Sequence, residues 1–271
     1  RRPEMPEGVS DTASSLGRSI LVPVVNPASI HALLSCAAAL ARRDGGAVDI
    51  VTVLTPGTSD EQQVTVQQRL AEAERTASEL GADATAHVEI ADDVSTGVLN
   101  AMRQTTPSLV LIGWRGETSS TDVCGRLIDR VVGRTRTPIA VLRAGRELPT
   151  RGVLPVHADH LLPGGVGGLR LATHVAAGLR ADLLQSMGLL ATGHQDFTIP
   201  DDLVTLCDTL VRDQRRNHLV VAEHATPDTL IISPVAPTAV GFRAATTHLA
   251  WSAPRAGLLV TIDPGPPLDV S

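Results

Sequence analysis

The segment from Ser108 to Arg143 constrains the fold more tightly than any other. Four apolar residues, Leu109-Val110-Leu111-Ile112, run without alternation and stop at Gly113. A strand that is apolar at every position is buried on both faces, as in a parallel sheet covered by helices. Gly113-Trp114-Arg115-Gly116 follows, then a polar segment, then Gly125-Arg126 and a helical pattern through Leu127, Ile128, Val131 and Val132. Pro138-Ile139-Ala140-Val141-Leu142 reads as the next strand. Glycines just past such a strand let the backbone turn sharply and approach a ligand, and they serve equally in an ordinary strand-to-helix turn.

The residues before this segment repeat the same alternation. Positions 1–18 are polar and carry Pro3, Pro6 and Gly8, the composition of a linker. Ser19 to Val25 is the first predicted strand, with Asn26 as N-cap and Pro27 at the first helical position. A helix then runs to Gly45-Gly46, a strand covers Ala47 to Leu54, and a polar helix extends from Asp60 to Leu80. A third strand covers Ala84 to Ile90, and Asp92 or Asp93 caps a short helix through Met102. Strands alternating with helices imply a parallel sheet with right-handed crossovers.

After Gly145 to Arg151 the pattern starts again. Val153-Leu154-Pro155-Val156 echoes Leu21-Val22-Pro23-Val24, and Thr226-Pro227-Asp228 to Ile232 echoes Thr106-Pro107-Ser108 to Ile112. Two units in tandem account for the echoes, a first over 19–145 and a second over 151–264. The second is shorter in its middle. Between Leu190 and Asp228 we predict one helix, Asp201 to Arg212, and one strand, Leu219 to Ala222, with a third crossover helix missing.

Composition narrows the function. Aromatics are 1% of 271 residues, too few for base-stacking platforms. The formal charge is −6 with no basic block, so a nucleic-acid polymer is not an expected partner. Cys36, Cys124 and Cys207 are scattered, which fits a reducing compartment rather than a disulfide framework. The chain begins Arg1-Arg2-Pro3, without Met, and we read it as cut from a longer protein.

With element order and glycines in hand, the first unit resembles the universal stress protein family, with the second unit a degenerate copy. The resemblance implies a Rossmann-like α/β fold whose parallel sheet has strand order 3-2-1-4-5, and pairing of units through the fifth strand. Nucleotide-binding members carry Gly-x2-Gly-x9-Gly-Ser/Thr after the fourth strand. Here Gly113-x2-Gly116 is followed by eight residues and Gly125-Arg126, one residue short and with Arg126 in place of the hydroxyl. Those members also carry an Asp where this chain has Val25. The Val25-Asn26-Pro27 variant resembles the stress-protein domains appended to the cytoplasmic C-termini of cation:proton antiporters. The resemblance therefore implies a regulatory domain on the cytoplasmic face of a membrane transporter, binding ATP, AMP or cyclic di-AMP and forming a homodimer. The alternatives are a free-standing tandem stress protein that binds ATP, and a structural pairing module without ligand.

The expected ligand site is the crevice between the ends of strands one and four, where strand order reverses. Its candidate residues are Val24, Val25 and Asn26 on one side and Gly113, Trp114, Arg115 and Gly116 on the other. Leu54 would supply an apolar wall for a purine. The amides of Gly125 and Arg126, opening the fourth helix, favour a phosphate, and Arg115 and Arg126 are placed to add charge. The chain contains no Lys, hence no Walker motif, and no catalytic residues are assigned; we expect binding, not catalysis. Thr118 to Thr121 reads as a polar loop. In the second unit Ser233-Pro234-Val235-Ala236 replaces the glycine loop, and Pro234 and Pro237 offer no N–H donors. The cluster Pro163-Gly164-Gly165-Val166-Gly167-Gly168 is open to an anion. His157/His160 and His218/His224 read as surface or structural residues, and no metal site is assigned.

Overall fold

The structure is a computed structural model that describes residues 16–24, 29–116, 125–162, 164–193, 197–235 and 239–263, with backbone only for 239–245. The strands are β1 (Ser19–Pro23), β2 (Ala47–Leu54), β3 (Asp83–Ile90), β4 (Leu109–Gly113), β5 (Ile139–Arg143), β6 (Arg151–His157), β7 (Ser186–Thr192), β8 (Thr209–Asp213), β9 (Thr229–Val235) and β10 (Gly257–Ile262). The helices are α1 (Ile30–Asp44), α2 (Asp60–Glu79), α3 (Val94–Thr105), α4 (Arg126–Val132), α5 (Val166–Asp182), α6 (Asp201–Leu206), α7 (Asn217–His224) and α8 (Ala239–Ser252).

All ten strands form one sheet in the order β3-β2-β1-β4-β5-β10-β9-β6-β7-β8. Each half reads 3-2-1-4-5 in its own numbering, the order the resemblance implies. Every neighbouring pair is parallel except β5 and β10, which run antiparallel with Val141 opposite Val260. The two halves thus meet at their fifth strands, related by an approximate two-fold axis through that pair.

Alternation in the buried strands sends side chains into two cores. Ile20 and Val22 join the core beneath α1, α2, α5 and α6, whereas Leu21 joins the one beneath α3, α4, α7 and α8. β4 and β5 have Leu109 to Ile112 and Ile139 to Leu142 at 0–1% exposure, which is why their sequence is apolar throughout. Burying each Leu, Ile or Val side chain among them contributes about 1.5–3 kcal/mol. The local signals end the helices where expected: Gly45 takes φ 63° after α1, a conformation only glycine adopts readily. Ser59 and Gln62 form a reciprocal capping box at α2, and Asp93 caps α3.

The structure corrects several expectations. Helix α1 starts at Ile30 with Ser29 as N-cap; the expected cap Asn26 lies outside the described residues, as does Val25. Of the predicted linker only residues 16–18 are described, and Leu16 is buried while Gly17 N–H donates to Asp44 at 2.7 Å.

The larger correction concerns the middle of the second unit. The predicted helix from Asp201 stops at Leu206, Thr209–Asp213 is a strand, and Leu219 to Ala222 lies inside helix α7. No crossover helix is missing. The unit is shorter because α6 has 6 residues against 20 in α2, and α7 has 8 against 12 in α3. Asp208 breaks the helical pattern: its N–H donates to the Met187 carbonyl at 2.8 Å, while its carboxylate accepts the Met187 N–H at 2.7 Å and an Arg180 N–H at 2.9 Å. Those bonds draw the chain to the sheet edge beside β7.

Candidate functional site

The strand order of the first unit reverses at β1, which has β2 on one side and β4 on the other. Two adjoining clefts open at this end of the sheet. The inner one, about 190 Å³, is lined by Val24, Ile30, Thr52, Val53, Val66, Arg69, Leu70 and Val94. The outer one, about 600 Å³, lies between α1 and α2 and shares Ile30 and Arg69 with it. Its other polar residues are His31, Glu72, Thr76 and Arg146.

Each wall has a local cause. Val24 continues β1, its N–H donating to the Val51 carbonyl at 2.8 Å and its carbonyl accepting the Thr52 hydroxyl at 3.0 Å. Val53 points to the opposite face, where Gly97 lets α3 come close: a Cβ at Gly97 would lie 2.5 Å from Val53 Cγ1. Val66, Leu70 and Arg69 sit on adjacent turns of α2. The cleft is thus apolar with one guanidinium at its mouth, the usual composition of a small-molecule site.

The glycine loop borders this region, but its side chains divide between two places. Gly113 abuts the start of α1; a Cβ there would meet Leu33 Cδ1 at 2.9 Å and Ser29 Oγ at 3.2 Å. Trp114 turns the other way. It is 6% exposed, belongs to the core beneath α3 and α4, and carries the Arg143 guanidinium 5.5 Å above its ring. Arg115 lines a third cleft, about 480 Å³, between the two units, together with Arg143, Glu147, Pro227 and Arg255. Gly116 has φ 88°, and a Cβ there would lie 2.5 Å from Arg143 Cδ. Trp114, packed under Arg143, and Arg115, lining the cleft between the units, therefore lie at the junction of the units rather than in the crevice expected for them.

Gly125, with φ 90°, precedes α4, and exposed Arg126 is its first residue. Helix α4 has 7 residues, the span expected from the sequence pattern. Leu54 is half-buried and is not among the residues lining either cleft; Thr52 and Val53 supply the β2 wall. Residues 117–124, including the polar loop Thr118 to Thr121, lie outside the described residues. Reasoning from sequence missed Arg69, Thr52, Val94 and Ile30. Arg69 left a faint signal, a basic residue flanked by Val66, Leu70 and Ala73 on an otherwise polar helix.

Arg143 is the most constrained cation near the site. It donates to the carbonyls of Ala250, Ala253 and Ala256, the first and third at 3.2 Å, and so closes the C-terminus of α8 in the other unit. Burial pulls its pKa down. Asp93 is held below the ordinary carboxylate range by bonds from Ser95 and Thr96, with Arg130 beside it.

The glycine cluster of the second unit has a packing role. A Cβ at Gly168 would lie 2.9 Å from the Val235 carbonyl, and the Thr261 hydroxyl donates to the Gly168 carbonyl at 3.0 Å, so α5 lies tight on β9 and β10. A Cβ at Gly167 would lie 3.0 Å from the Asp263 carboxylate, which also pairs with Arg170 at 3.3 Å. A carboxylate of the chain itself therefore stands where an anion was envisaged. His157 and His160 bond within their own turn, His160 Nδ1 accepting the His157 N–H at 3.1 Å. Burial lowers the His160 pKa to about 4, and the His157 charge adds to the effect. Cys36 and Cys207 are free thiols whose pKa values burial raises to about 12 and about 11.

Fold and crevice together define an α/β unit doubled into one sheet, and residues 17–143 match the model of the Universal stress protein family. Among individual proteins, the Na(+)/H(+) antiporter NhaS5 of Synechocystis sp. is 29% identical over 133 residues, covering 46% of this chain and 19% of the antiporter. This chain thus spans about a fifth of that relative's length. A functionally unknown protein of Pseudomonas aeruginosa shares the whole tandem fold, with 11% identity, coverage of 94% and 95%, and TM-score 0.63. A universal stress protein of Archaeoglobus fulgidus does so with 13% identity, coverage of 90% and 96%, and TM-score 0.57. Among the described residues no helix is long and apolar enough to cross a membrane.

Proposed function

We propose that this chain is a regulatory domain that binds an adenine nucleotide and modulates a cation:proton antiporter, without turning the nucleotide over. The observation that carries the reading is the pair of adjoining clefts at the reversal point of the first unit. The inner cleft is apolar, as a purine requires, and Arg69 at the shared mouth suits a phosphate. The antiporter part is supported by the similarity to NhaS5.

The glycine loop suggests how binding is read out. Gly113 touches the start of α1 on the crevice side, while Trp114 and Arg115 engage the junction of the units. A ligand that shifts the loop by a fraction of an ångström shifts the platform under Arg143, and with it the hold on α8. Coupling of this kind is limited by the difference in ligand affinity between the two arrangements of the seam.

Calorimetric titration with ATP, AMP and cyclic di-AMP tests the reading. One of the three binds, and Arg69→Ala, an exposed position, weakens it about tenfold while leaving the melting temperature unchanged. If none gives heat at millimolar concentration, the sensor reading is wrong and the seam alone remains as the function. The transporter part is checked in the parent gene: in-frame apolar segments of ~20 residues upstream of Arg1 support it, and a start codon adjacent to Arg1 overturns it.

A further inference from the structure

A second charged groove lies on the opposite face of the first unit, away from the crevice. It measures about 360 Å³ and runs between α3 and the turn from α4 into β5. Its lining is Thr96, Leu99, Met102, Arg103, Arg134, Thr135, Arg136 and Thr137, with no carboxylate among them. The acids nearby are engaged elsewhere: Asp93 with Arg130 and Ser95, Glu89 with Gln104 at 3.4 Å. Arg103 donates to Asn100, and neither Arg134 nor Arg136 has an ion-pair partner among the described residues.

The charge balance of the groove is unusual for a chain of net charge −6. Three guanidinium groups bring three positive charges. The C-termini of α3 and α4 each offer at most about half a negative charge. About two positive charges remain uncompensated around one concavity, and their mutual repulsion is relieved by a divalent anion.

The hydroxyls suit the same ligand. The Thr135 oxygen accepts the Thr137 N–H at 3.0 Å, which leaves its own O–H to donate outward. Thr96 is already committed, donating to Asp93 at 2.8 Å. Leu99 and Met102 form an apolar floor beside the charges. Guanidinium forks with hydroxyl donors match the oxygens of a phosphate, and the floor matches a non-polar body attached to it. We propose that this groove binds a phosphate monoester on an apolar body, with Arg103, Arg134 and Arg136 holding the phosphate and Leu99 and Met102 the rest. Such a group occurs on a soluble metabolite or on a phosphatidic acid headgroup.

The test uses the intact chain, isotope-labelled, titrated with phenyl phosphate and with phenol at constant ionic strength. Phenyl phosphate shifts the amide resonances of Thr96 to Arg103 and Arg134 to Thr137, and phenol does not. Arg134→Gln and Arg136→Gln each weaken binding about tenfold, whereas Arg136→Lys retains most of it. Both positions are exposed, and an unchanged melting temperature shows that the variants fold. Arg69→Ala leaves the response intact, so this site and the nucleotide crevice succeed or fail separately. Co-sedimentation with phosphatidylcholine vesicles doped with phosphatidic acid, lost in the same variants, also supports the assignment and locates the phosphate on a lipid. The proposal is overturned if both probes leave the groove resonances unmoved at millimolar concentration, if phenol binds as well as phenyl phosphate, or if the glutamine variants bind undiminished.

Discussion

Arg143 shows how much one side chain holds in place. Its backbone ends β5, its guanidinium covers Trp114, and its three acceptors are carbonyls of the second unit. Hydrogen bonds from a charged donor contribute about 1.5–3 kcal/mol each, and their loss leaves helix-end carbonyls without a donor. We expect Arg143→Met to destabilise the chain by about 2–4 kcal/mol in chemical denaturation. Arg143→Lys keeps the charge without the fork and falls between. A variant as stable as wild type would show that the seam does not depend on this clamp. Gly116 belongs to the same argument, since a side chain there collides with Arg143, and its positive φ already favours glycine.

At the scale of elements, α1 and α5 pack across the seam on the other face. Gly178 admits Leu40 there, with a Cβ-to-Cδ2 distance of only 2.6 Å if it carried a side chain. His174 of α5 and Asp44 of α1 meet at 2.7 Å with side chains 7% and 5% exposed. The Gly17 N–H also donates to Asp44, Arg43 donates to the His174 carbonyl, and Arg42 pairs with Asp182 nearby. Burial lowers the His174 pKa, against the opposing pull of Asp44. A histidine with a depressed folded pKa stabilises fully above its unfolded value of about 6.5 and loses that contribution as pH falls below it. His160 acts in the same direction, toward its value of about 4. The melting temperature should therefore fall between neutral pH and pH ~5. His174→Gln, which still donates to Asp44 but does not titrate, should flatten part of that fall. An equal slope in the variant would remove His174 as the cause.

Across the whole molecule, the antiparallel β5–β10 pair closes the edges through which two separate units would associate. Homodimerisation of the full chain therefore has to use another surface. A chain truncated after residue 148 exposes β5, whose residues Ile139 to Leu142 are otherwise fully buried. Such an edge pairs readily, and light scattering should give the mass of a dimer; a stable monomer at micromolar concentration would contradict this.

What the sequence determined by itself was local and periodic. The continuous apolar runs at Leu109 to Ile112 and Ile139 to Leu142 specified buried parallel strands, and the tandem echo specified two units. Gly45 and Asp93 marked helix ends, because their signals act within a few residues. Tertiary structure alone decided the rest. Asp208 stopped a helix through bonds to Met187 and Arg180, distant partners that no window reveals. Leu219 to Ala222 is too short an apolar run to distinguish strand from helix, and packing beside β6 and β7 made it helical. The location of the glycine loop was legible, but the direction of its side chains was not. Whether Trp114 and Arg115 face the crevice or the seam depends on which partner stands at β5, and that partner is a strand more than a hundred residues away. Arg69 was only faintly legible among Val66, Leu70 and Ala73, because the packing of α2 beside the crevice is what brought it there.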